Sequence, residues 1–299
     1  MNDDYIAVNW GSTNLRAWRY QNGHCIDALS SEAGITRLAG KDARATFDRL
    51  IGPWLDPAGR SRVIMAGMVG SNAGWLSVPY LSCPTDLGRV SQHLTRVDEV
   101  AGAHVCIVPG VSVNRDDNAN VMRGEETQLI GARNACPTTL YVMPGTHCKW
   151  VRVDGDTLVD FRTVMTGEMH HILMRHSLIG MGLPEQVSAP EVFREGLLAG
   201  FDNPSILRAL FEARAAHVLG RLARDTVSEW LSGLLIGNEI SSLRHIYPMA
   251  PGEHITLVGP ARLTERYAHA LDIAGVAHRT VNGDVAFQSG IRSIVHGLA

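Results

Sequence analysis

Apolar and polar positions alternate with period two at the start of the chain. Ile6 and Val8 alternate with Ala7 and Asn9, which predicts a strand. Gly11-Ser12-Thr13-Asn14 interrupts it with turn-forming residues, so 6–18 reads as strand, tight polar turn and strand. Residues 24–32 predict a third strand. Over 42–55 the period lengthens: Phe47, Leu50, Ile51 and Trp54 share a helical face, with Asp42 placed to cap it. A buried strand at 62–67 runs into the Gly-rich loop 67–75, and 104–109 is a further strand. The polar run 114–120 predicts a loop. Residues 124–132 predict a helix that opens with two carboxylates, Glu125 and Glu126, where the helix dipole favours them.

After a break at 134–137 the pattern restarts. Strand 139–143, turn 144–149 and strands 149–153 and 157–164 repeat the opening arrangement. Thr166-Gly167-Glu168 reads as a helix cap. Residues 190–243 are mostly helical, with breaks expected near Asn203-Pro204 and Gly233. Strand 254–259 leads to Gly259-Pro260-Ala261-Arg262 and helix 263–274. Strand 278–281 and helix 285–298 end the chain. These elements predict an α/β protein of two lobes, 1–134 and 135–299, with the last helix free to pack back on the first.

Length agrees, because 299 residues exceed what one core comfortably holds. A net charge of −3 with interspersed signs provides no basic face for nucleic acid. No apolar run nears the roughly 18 residues that span a bilayer. The acidic start (Asp3, Asp4) lacks a signal-peptide pattern. Cys25, Cys83, Cys106, Cys136 and Cys148 are scattered and form no C-x-x-C, which reads as reduced thiols in the cytoplasm. The sequence leaves a homodimer open.

Several motifs fail on spacing. Residues 34–41 miss the P-loop pattern, with Asp42 where Ser or Thr belongs; the Gly67 loop lacks G-x-G-x-x-G; no G-x-S-x-G occurs. His170 and His171 are adjacent and cannot both face one metal from a helix, so one is expected packed and one on the surface. The two Gly-Ser-Thr and Gly-Thr turns survive. Small turns rich in amides and hydroxyls suit anions, and two facing each other across a cleft would clamp the β- and γ-phosphates of a nucleotide.

The order of these elements resembles the actin/hexokinase/Hsp70-type ATPase (ribonuclease H-like) fold, which implies an active site in the interlobe cleft. More closely, the chain resembles the 2-dehydro-3-deoxygalactonokinase family. The resemblance is carried by 10–18, 65–71, 122–131 (Met-Arg-Gly-Glu-Glu-Thr-Gln-Leu-Ile-Gly), 142–151 (Val-Met-Pro-Gly-Thr-His-Cys-Lys-Trp-Val), 161–168, 232–237 and 286–293. It implies phosphorylation of the 6-hydroxyl of 2-dehydro-3-deoxy-D-galactonate by ATP with Mg2+.

The resemblance also implies roles. Gly11, Ser12, Thr13 and Asn14 form one phosphate cradle; Gly145, Thr146 and His147 form the other. Lys149 either faces the phosphates or is a solvated strand residue. Glu125 is the first choice for general base and Glu126 the second. Arg16 and Arg123 are candidates to hold the substrate carboxylate, or to pair with a nearby acid. Gly67, Met68 and Ser71 belong to the sugar pocket, and Gly237 and Gly259 to the adenosine side. One departure stands out: the family carries Asp at Asn9, where it helps hold magnesium, so Asn9 implies a weakened metal site. Three alternatives stay beside this reading: a kinase for another 2-keto-3-deoxy sugar acid, a chaperone-like nucleotide-binding ATPase, and an exopolyphosphatase-like hydrolase. The second would need an added peptide-binding domain, and the third a basic channel.

Overall fold

The computed structural model describes residues 3–38, 42–98, 100, 102–201, 203 and 205–298. Of the positions singled out above, 39–41 and Pro204 lie outside them. The chain divides into two compact units. The first comprises Met1–Pro137, Val153–Phe161 and Val281–Ala299; the second comprises Thr138–Arg152 and Arg162–Thr280.

In the first unit, β1 (Tyr5–Trp10), β2 (Leu15–Gln21) and β3 (His24–Ser31) form an antiparallel meander. Helix α1 (Ala43–Leu50) follows, its N-terminus capped by the Asp42 side chain, which accepts from the Arg44 amide at 2.8 Å. It is shorter than the 42–55 pattern, because Gly52 and Pro53 tighten the chain into a 3-10 turn. Strands β4 (Ser61–Ala66), β5 (Tyr80–Ser82), β6 (Thr85–Asp86), β7 (Thr95–Val97) and β8 (Ala103–Ile107) come next. The main sheet runs β3-β2-β1-β4-β8-β7, with β1, β4 and β8 parallel. This central placing corrects the alternating pattern expected of β1. Tyr5, Ile6, Ala7, Val8 and Trp10 are all buried, as in a strand covered on both faces.

The loop expected at 114–120 is a hairpin instead. Strands β9 (Gly110–Arg115) and β10 (Asn118–Met122) pair antiparallel, with only Asp116-Asp117 left to turn. Val111, Val113 and Met122 are buried, and the polar residues find partners. Asn118 donates to the Phe161 carbonyl at 3.1 Å, and Arg115 pairs with Asp160. These partners are distant in sequence, so local polarity misleads here. Helix α2 (Glu125–Ala135) completes this stretch.

In the second unit, β11 (Leu140–Met143) pairs antiparallel with β12 (Cys148–Asp154); the end of β12 and most of the next strand, β13 (Thr157–Val164), are counted in the first unit. Helices α3 (Thr166–His176), α4 (Pro190–Phe201), α5 (Ile206–Val218) and α6 (Val227–Ile246) follow. Then come β14 (Ile255–Gly259), parallel to β11, α7 (Ala261–Ile273) and β15 (His278–Asn282). The break expected at Gly233 does not occur: α6 runs through it. A Cβ on Gly233 would lie 2.1 Å from the Phe193 carbonyl, so this glycine serves close packing of α6 on α4. The chain instead leaves the helix at Leu219–Thr226. Thr166 does not cap α3 with its side chain; its hydroxyl bonds Glu239. The last helix, α8 (Gly283–His296), is counted in the first unit. No helix among the described residues is long and apolar enough to cross a membrane.

Candidate active site

Within the first unit the Gly11–Asn14 turn is held from behind. The Gly11 amide closes the turn on the Asn14 carbonyl at 2.9 Å. The amides of Gly34, Ile35 and Thr36 donate to the carbonyls of Thr13, Gly11 and Ser12 at 3.0–3.2 Å. A Cβ at Gly34 would sit 2.2 Å from Thr13, so only glycine lets the segment press against the turn. With those carbonyls engaged, Ser12, Thr13 and Asn14 are exposed and have amides and hydroxyls to offer an anion.

Gly67 and Gly124 meet beside this turn. Both have φ of +105°, where a side chain is strained. A Cβ on Gly67 would lie 2.7 Å from the Trp10 carbonyl, and one on Gly124 would lie 3.1 Å from Gly67 Cα. This close packing brings the start of α2 to the loop after β4 and the end of β1. There the two carboxylates fold back on their own helix start. Glu125 accepts from the Arg123 amide at 3.0 Å; Glu126 accepts from the Gly124 amide at 2.6 Å and the Thr127 hydroxyl at 2.9 Å. Glu126 is fully buried, and burial, with the neighbouring Glu125 charge, pushes its carboxyl up to about 7. Glu125 is only half-buried.

The two candidate cations differ. Arg16 pairs with Asp284. Arg123 stacks over the Tyr80 ring, 4.2 Å from its centroid, and spends Nη2 on the Val78 carbonyl at 2.7 Å. Its Nε and Nη1 are buried with no hydrogen-bond partner among the described residues. Nη1 lies against Gly70, in the loop that includes Met68 and Ser71. Ser71 itself is occupied, donating to the Met68 carbonyl at 2.8 Å.

In the second unit the Gly145–His147 turn is clasped by α3. Gly167 leaves no room for a Cβ, which would sit 2.5 Å from the Gly145 carbonyl, and the Glu168 amide donates to Thr146 at 3.0 Å. His147 pairs with the Glu168 carboxylate at 2.6 Å. Lys149 is buried, not solvated, and donates to the Thr163 hydroxyl at 3.1 Å. Gly145, Thr146 and Gly167 line a cavity of about 440 Å³, together with residues at the starts of α6 and α7 such as Ser232 and Arg262. That size and mixed lining suit a nucleotide. Gly259 sits beside the turn, near the Pro144 carbonyl. Gly237 does not line the cavity: it faces α4, where a Cβ would lie 2.4 Å from the Leu197 carbonyl. His170 is packed, bonded to the Ser228 carbonyl at 3.1 Å, and His171 is exposed.

Beneath the cavity lies a feature sequence reasoning missed. Glu239 of α6 is buried and accepts from Trp150 Nε1 and the Tyr267 hydroxyl at 2.7 Å each, and from the Thr166 hydroxyl. Burial raises its carboxyl above the usual range. The network ties β12, α3, α6 and α7 together. A lone charged residue between Glu229 and Arg244 of α6 was its sole signal in the sequence.

For magnesium, the donor chemistry is thin. No group of three or more His, Cys, Asp or Glu among the described residues is arranged to hold a metal, and Asn9 offers a neutral carbonyl. These residues fit a cation that arrives on nucleotide phosphates and keeps most of its waters.

Comparison with known proteins agrees with this picture. Component A of the Acidaminococcus fermentans (R)-2-hydroxyglutaryl-CoA dehydratase superposes with a TM-score of 0.52 at 12% identity, over 97% of this chain and 95% of that one. That likeness is one of fold, and the fold is the α/β actin-like ATPase fold. A Sinorhizobium meliloti crystal structure titled as a 2-dehydro-3-deoxygalactonokinase protein superposes with a TM-score of 0.90 at 30% identity, over 98% of both chains. The Escherichia coli K12 2-dehydro-3-deoxygalactonokinase is 54% identical over 295 residues, covering 99% of this chain and 98% of that protein. The family described as 2-keto-3-deoxy-galactonokinase matches residues 9–294. With a match of that extent, the chain belongs to the 2-keto-3-deoxy-galactonokinase family.

Proposed function

We propose that this protein transfers the γ-phosphoryl group of ATP to the 6-hydroxyl of 2-dehydro-3-deoxy-D-galactonate, in galactonate catabolism in the cytoplasm. The observation that carries the assignment of residues is the first unit's pairing of an accessible carboxylate, Glu125, with the partnerless buried N–H groups of Arg123 beside the Gly67–Ser71 loop. A substrate with a carboxylate at one end and a hydroxyl at the other matches those two groups.

Arg123 holds the sugar-acid carboxylate, aimed by its stacking on Tyr80. Glu125 accepts the 6-hydroxyl proton as the oxygen attacks the γ-phosphorus; the new O–P bond forms, the bond to the β-phosphate oxygen breaks, and ADP leaves. Glu126, sealed in the helix start, orients Gly124 and with it Glu125. In the second unit the donors of Gly145–His147 hold phosphate oxygens, with Gly259 beside that turn; in the first unit the Gly11–Asn14 turn offers its own donors to an anion. Mg2+ bound to ATP would offset the phosphate charge, with Asn9 as its protein-side neighbour. The decisive assay is coupled ADP release with a panel of 2-keto-3-deoxy sugar acids. Turnover should rise with the galactonate derivative; ATP turnover indifferent to every sugar acid would overturn the assignment.

A further inference from the structure

The cavity beside the Gly145–His147 turn contains an ion pair that none of these roles uses. Glu229, in the first turn of α6, meets Arg266 of α7 in two parallel bonds, Nη1 to Oε1 at 3.2 Å and Nη2 to Oε2 at 3.0 Å. Both residues line the cavity, and their side chains are only 14% and 22% exposed. Arg266 is itself held, stacked over the Phe193 ring at 4.1 Å. The fork geometry and the stacking together fix the plane of the Glu229 carboxylate.

A clamped carboxylate is still an acceptor. Each oxygen has a second lone pair, so Glu229 can receive two more hydrogen bonds, and when ionised it can donate none. Partial burial makes those unused lone pairs expensive to leave unfilled. Two adjacent oxygens that only accept suit two adjacent hydroxyls. Among the parts of ATP, only ribose presents such a pair; phosphates would be repelled, and adenine offers a single amino group.

We infer that Glu229, oriented by Arg266, receives the 2′- and 3′-hydroxyls of the nucleotide ribose and makes the protein selective for ribonucleotides. The inference rests on the proposed nucleotide role of this cavity, though not on the sugar-acid substrate. Removing the 2′-hydroxyl deletes one bond to a charged acceptor, which corresponds to about ten- to hundredfold in affinity.

Calorimetric titration of the whole protein with ADP and with 2′-deoxyADP tests this without requiring turnover. The unmodified protein should bind 2′-deoxyADP at least about tenfold more weakly. Glu229→Gln should bring the two affinities within about threefold, mainly by weakening ADP. Arg266→Lys keeps the charge but loses the fork, and should narrow the ratio as well. Equal affinities in the unmodified protein, or a ratio unchanged in whichever of the two variants folds, would overturn the inference. Preserved discrimination alongside no phosphotransfer to any sugar acid would support it while overturning the kinase assignment.

Discussion

The phenolic hydroxyl of Tyr267 donates to the carboxylate of Glu239 at 2.7 Å, and both side chains are buried. This contact joins α7 to α6 under the cavity that Gly145, Thr146 and Gly167 line, and Trp150 and Thr166 converge on the same carboxylate. Removing the acceptor strands the donors of Trp150, Thr166 and Tyr267, and the Cys148 thiol beside them. Glu239→Ala should therefore cost about 3–5 kcal/mol of unfolding free energy, and Tyr267→Phe about 1 kcal/mol. Urea unfolding monitored by tryptophan fluorescence measures both. A Glu239→Ala loss below that of Tyr267→Phe would show that the carboxylate is not the hub.

The neighbouring carboxylates of α2 should separate by behaviour. Glu125→Gln should lower kcat by about a hundredfold or more, with ADP affinity and melting temperature nearly unchanged. Glu126 should be visible instead in the pH dependence of stability. Its carboxyl rises from the usual 4.5 to about 7 on folding, so the folded chain binds this proton more tightly than the unfolded chain. The ionisation penalty is absent below pH 4.5, grows between 4.5 and 7, and is complete above, at roughly 3 kcal/mol. Over that window Glu126→Gln should gain stability relative to the parent protein. Parallel stability curves for the two proteins would reject the buried titration.

Arg123 and Arg16 offer a contrast between two cations near the same motifs. Arg123→Met should raise KM for the sugar acid by about ten- to hundredfold, since a charged two-bond contact is lost. Arg16→Met, which breaks a half-exposed pair with Asp284, should cost at most about 1 kcal/mol of stability and change that KM little. Initial rates against sugar-acid concentration separate the two; equal KM changes would remove Arg123 from its assigned role.

Asn9 bears on metal use. Asn9→Asp adds the charge that a hard cation favours, and should lower the Mg2+ concentration needed for half-maximal rate. No shift at any Mg2+ concentration would mean that this position does not meet the metal.

Most of the longer elements and the identity of the family were legible in the chain itself; the short strands Tyr80–Ser82, Thr85–Asp86 and Thr95–Val97 were not. Period-2 and period-3.6 patterns reflect local burial, and turns such as Gly11–Asn14 and Gly145–His147 are specified by small residues whose backbone needs are local. Tertiary structure alone decided the rest, because burial and partnership depend on residues far apart in sequence. Polar 114–120 became a hairpin once Asp160 and the Phe161 carbonyl were at hand. Gly233 and Gly237 serve helix contact, where the chain alone suggested a break and an adenosine site. Of two adjacent glutamates, packing buried Glu126 and left Glu125 accessible; a helix places successive side chains about 100° apart, and only the surrounding fold determines which direction is inside.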